Sequence, residues 1–213
     1  MKPTVYILKG SGRLKPFLQE IRNVANNAIR LASRGIPVKN TDIVIYDNPR
    51  GVIPKEGVGG FATYSGMIIF ISMNPEFSPF EKAIHENLPR HIIHELHHVA
   101  RIQKIGYGDT LRKTLITEGL ACRFEIEITH KSPPPWCTAL NDNQIQKFLV
   151  RAQKEFDSTS YDHSKWFFGK GDKTIPYWTG YTLGFTIVGE YLKKHPKESA
   201  ASLYALPANN FFS

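Results

Sequence analysis

Only two cysteines, Cys122 and Cys137, occur in 213 residues, too few for a disulfide framework. Burial and hydrogen bonding must therefore carry most of the fold. Long apolar runs are also missing, which excludes a membrane-spanning helix. Near the N-terminus only Val5-Tyr6-Ile7-Leu8 is apolar, shorter than the core of a secretion signal, so the reading is a soluble cytoplasmic protein. Although Lys and Arg exceed Asp and Glu by 27 to 19, no dense basic cluster is present beyond Lys193-Lys194. The net charge of +8 thus reads as solvated surface, and a nucleic-acid partner is not expected. Internal repeats and low-complexity tracts are absent. With 41% hydrophobic residues the chain can bury a sizeable core, as one domain or two small lobes around a cleft.

What is present is His94-Glu95-Leu96-His97-His98, an H-E-x-x-H pentapeptide inside a helix-periodic stretch. Residues four apart on an α-helix lie on one face, so His94 and His98 can converge on one ion. Glu95 is turned by about 100° from His94, beside the metal rather than on it, where a general base belongs. Zinc lowers the pKa of a bound water towards ~7, and a neighbouring carboxylate can take its proton. Ile92, Ile93, Leu96, Val99 and Ala100 form the opposite side of a helix starting at Pro89 and stopping at Gly106. A His-rich surface helix is the bland alternative.

Glu118 is the expected third ligand. With Asp109 as N-cap, a helix reaching Thr129 places Leu111, Leu115, Glu118, Ala121, Cys122 and Glu125 on one face. A carboxylate in such a stripe must be paired or bound to metal. A turn over Gly106–Gly108 would bring this second helix back across the first. His91 is the rival ligand, although one short helix cannot easily aim three imidazoles at one ion. The set His94, His98 and Glu118 suits zinc, one ion per chain.

The pentapeptide followed by Glu118-Gly119-Leu120-Ala121 resembles the gluzincin branch of zinc metallopeptidases. Trp166-Phe167-Phe168-Gly169 and the run from Ile175 to Phe185 resemble, more narrowly, a bacterial family of predicted zinc-dependent proteases. The resemblance covers roughly residues 60–194. It implies a hydrolase acting on a peptide or protein substrate with Glu95 as general base; a zinc-binding regulatory module with little proteolysis is the alternative. Cys122 stands where related enzymes have an Asp that orients a zinc histidine, leaving Glu125, Asp109 or a backbone carbonyl for that role. The metzincin pattern is absent, since Arg101 and Lys104 occupy its Gly and His positions. The resemblance also places the segment of Tyr181 near the metal, where an oxyanion donor is needed. Tyr181 is preferred; Tyr177, four residues earlier on the same expected helical face, and His163 are the substitutes.

Periodicity predicts strands at Thr4 to Leu8 and Asp42 to Tyr46, and a helix from Leu14 to Ala32. A hairpin is expected from Phe61-Ala62-Thr63-Tyr64 through Ser65-Gly66 to Met67–Ile71, with Gly57 to Gly60 as a loop before it. Ser78-Pro79-Phe80-Glu81 reads as a capping box, Pro89 as a break before the metal helix, and Pro133 to Pro135 as another break. Further helices are expected near Asn143 to Phe156 and Tyr177 to Lys194. The fold class is α+β, with an N-terminal α/β portion (1–76) and a helical portion carrying the zinc site (77–213). By resemblance the plan is zincin-like: a small mixed sheet stacked beside the metal helix, with the hairpin at its edge.

Overall fold

The computed structural model describes residues 2–106 and 108–212. Tyr107, at the centre of the expected Gly106–Gly108 turn, lies outside the described residues. The chain divides into two compact units, 1–104 and 105–213, and the class is mixed α and β.

The first unit is built on four strands, β1 (Thr4–Ile7), β2 (Asp42–Asp47), β3 (Val58–Ala62) and β4 (Ile68–Met73). Their order is β1-β2-β4-β3, with β1, β2 and β4 parallel. The hairpin partner β3 runs antiparallel to β4 at the edge. Alternation sorts the side chains: Ile43, Ile45, Ile69 and Ile71 are fully buried on one face, while Tyr46 and Phe70 belong to the other. Helix α1 (Leu18–Ala32) covers part of the sheet through Ile21, Ala25, Ala28 and Ala32. Val24 and Leu31 of the same helix are only half-buried.

Three local expectations fail for physical reasons. Gly57 to Gly60 is not simply a loop, since β3 begins at Val58 and pairs Gly59 and Gly60 with Ser72 and Ile71. The capping box does not form: Pro79 itself is the cap of the short α2 (Phe80–Lys82), with no side-chain bond. Pro89 does not break the chain either. A π-turn over Ala83–Asn87, closed by Leu88 N–H on the Ala83 carbonyl, leads directly into α3 (Leu88–Ile105). The wider turn accommodates a residue that lacks an N–H and whose ring crowds the carbonyl four residues back.

The second unit is mostly helical: α4 (Leu111–Thr129), α5 (Asp142–Gln153), α6 (His163–Phe168) and α7 (Thr179–Lys194). Thr110 rather than Asp109 caps α4, accepting from Lys113 N–H, while Asp109 pairs with the Lys113 ammonium at 2.7 Å. Helices α4 and α7 pack along glycines. A Cβ on Gly119 would collide with the Gly184 carbonyl, and one on Gly184 with the Leu115 carbonyl. We expect Gly184→Ala to lower stability by about 1–3 kcal/mol in urea denaturation, although alanine is the better helix former by ~1 kcal/mol. An unchanged midpoint would show that the two helices separate at little cost.

Candidate metal centre

Helix α3 is buried on nearly all sides, and not merely along one stripe as its periodicity suggests: every residue from His91 to Ile102 is buried. His94, Glu95 and His98 are no more than 8% exposed. One turn apart, His94 and His98 face each other edge to face, with Nε2 atoms 3.1 Å apart. Two nitrogens bound at ~2.05 Å in a tetrahedral set stand about 3.3 Å apart. The pair therefore fits a shared ion with only a small adjustment.

Glu95, about 100° round the helix from His94, lies against β3. A Cβ on Gly60 would come within 2.8 Å of both its Cγ and its Oε1, so a side chain there would displace the carboxylate from its place beside the edge strand. His91 is oriented elsewhere, its Nε2 2.7 Å from Oε2 of Glu56, and both side chains are largely buried. This contact gives the His91 ring a structural partner thirty-five residues away.

In the second unit, Glu118 is buried in the middle of α4. Thr114, one turn earlier on the same face, bonds Tyr161 Oη at 2.7 Å, and Tyr161 Oη lies 3.3 Å from His163 Nδ1. Burial pushes the His163 imidazole down from its ordinary pKa, while the charges of Glu118 and Asp162 act in the opposite direction. His163 stacks on Phe167, with ring centroids 4.4 Å apart, and Tyr181 meets the same ring edge-on at 5.1 Å. Two of the three expected oxyanion donors thus flank one phenylalanine. Tyr177 is a correction. It precedes α7, which starts only at Thr179 after Trp178 adopts a left-handed conformation at φ 67°. Tyr177 is therefore not on a helical face with Tyr181, and it is 53% exposed.

Of the two acids expected as orienting partners for a zinc histidine, Asp109 is exposed and engaged by Lys113, whereas Glu125 is buried. The links from Thr114 through Tyr161 to His163, and from Gly60 to Glu95, carry no sequence signature, because each joins residues remote along the chain.

His94, His98 and Glu118 make up a candidate metal-binding group: one ligand atom from each lies within 4.8 Å of the others, and all three residues are buried. Two nitrogens and one carboxylate oxygen form a donor set that suits zinc better than magnesium or calcium. No described helix is long and apolar enough to cross a membrane. Neither the curated proteins nor the solved structures contain a match to the chain. A family model does match, over residues 19–213, well beyond the resemblance between 60 and 194. The chain belongs to the family described as Predicted Zn-dependent protease (DUF2268).

Proposed function

We propose that this chain is a zinc metallopeptidase of zincin-like plan, in which His94, His98 and Glu118 hold one zinc ion and Glu95 is the general base. The grouping of the three ligand atoms carries the reading. Bound zinc supplies a Lewis acid that makes water nucleophilic near neutral pH. Glu95 accepts the water's proton at its carboxylate and returns it to the leaving amine. Its burial shields that carboxylate from bulk water.

The edge strand supplies the means of holding a peptide. Thr63 N–H bonds the Ile68 carbonyl and Asn74 N–H the Gly57 carbonyl, so odd-numbered positions of β3 bond to β4 in the antiparallel alternation. Gly60 and Ala62 then turn their N–H and C=O groups outward. A substrate strand adding there by main-chain hydrogen bonds runs past Gly60, directly beside Glu95.

Purified protein should hold one zinc per chain, and chelation should abolish hydrolysis of a peptide library until zinc is restored. Zinc without cleavage of any peptide would instead leave the regulatory-module reading. Tyr181 is assigned as the oxyanion donor, so Tyr181→Phe should retain zinc while lowering kcat by ~10² or more. An unchanged kcat would move the role to His163, tested by His163→Gln.

A further inference from the structure

The sheet face opposite the buried isoleucines carries a half-open cavity of about 240 Å³, lined in part by Tyr46, Asn48, Gly60, Phe61, Phe70 and Ser72. Clefts for drug-sized ligands run to roughly 300–1,000 Å³, so this one is scaled to a single large side chain. Its walls are aromatic. Tyr46 and Phe70 meet edge-on at 6.2 Å, and Phe61, 51% exposed, stands on β3 directly across from Phe70. The floor is prearranged, because the Asn48 amide donates both to Tyr46 Oη at 3.3 Å and to Ser72 Oγ at 3.1 Å.

Strand geometry links this cavity to the reaction. Alternate side chains of a strand point to opposite faces, so a peptide residue opposite Gly60 projects its side chain towards the Glu95 side. The residue next to it, opposite Phe61, projects to the cavity side, within the ~4.5–5.5 Å that separates cross-strand partners. We propose that the cavity is a specificity pocket that takes one aromatic side chain of a peptide laid along β3, a subsite that rests on the peptidase reading of the metal centre.

The test uses the full-length, zinc-loaded Glu95→Gln protein, so that binding is measured without cleavage. Fluorescein-labelled alanine/serine decamers, with and without one phenylalanine, are compared by anisotropy. The phenylalanine peptide should bind about tenfold or more tightly than its parent. Adding Phe61→Ala should reduce that gain to about threefold or less, and Phe61→Tyr should preserve it, which guards against a merely structural effect. Equal binding of the two peptides, binding of neither, or a gain that survives Phe61→Ala would each overturn the proposal. Failure of the peptidase reading appears separately: the Glu95→Gln protein would bind the phenylalanine peptide while the parent protein failed to cleave it.

Discussion

Replacing Glu95 with Gln is expected to leave one zinc per chain in place and to lower kcat by about 10²–10⁴, the range that positioned acid–base groups contribute. The change is nearly isosteric. It keeps the contact of the side chain with Gly60 and leaves both His94 and His98 untouched, so metal content and thermal melting should match the parent. Only the capacity to accept a proton is lost. Metal analysis and peptide hydrolysis on the same preparation separate the two effects. Hydrolysis at the parent rate would show that another group takes the proton, and loss of zinc would show that Glu95 supports the ligands rather than the reaction.

The second large effect is expected at Glu118. Glu118→Ala should weaken zinc binding by more than ~100-fold, since even partners outside the ligand sphere are worth 10–100-fold and this substitution removes the sole anionic member of the group. Glu118→Gln should be nearly as harmful, because a neutral amide oxygen is a poorer zinc ligand than a carboxylate. A fluorescent zinc indicator in competition gives the affinities directly. His91→Ala is the control: with its ring held by Glu56, it should cost stability and leave zinc affinity close to that of the parent. If His91→Ala abolished zinc binding while Glu118→Ala kept it, the ligand set would be wrong.

These predictions differ in how much of their basis is visible before folding. The pairing of His94 with His98 is legible because it is local: helical periodicity alone brings residues four apart onto one face. Glu118 is legible because a carboxylate within an apolar helical stripe has to be explained by something it binds. The strands of the sheet are legible from β-branched alternation. Helix ends are less so. Tyr177 lies within a segment that reads as helix, and only the left-handed turn at Trp178 removes it. Pro89 reads as a break, and a π-turn absorbs it instead.

By itself, the sequence pointed to a mixed α and β class and to His94, His98 and Glu118 as a candidate metal-binding group, since these follow from spacing along single helices and from the cost of burying charge. Tertiary structure alone decided that Glu95 stands against Gly60, that His91 answers to Glu56, and that Gly119 and Gly184 let α4 and α7 close on each other. It also decided that His163 shares the Phe167 ring with Tyr181. The reason is one of range. Periodicity reports on neighbours within a few residues, whereas these contacts join positions separated by dozens, and which of them meet depends on how strands register and helices pack.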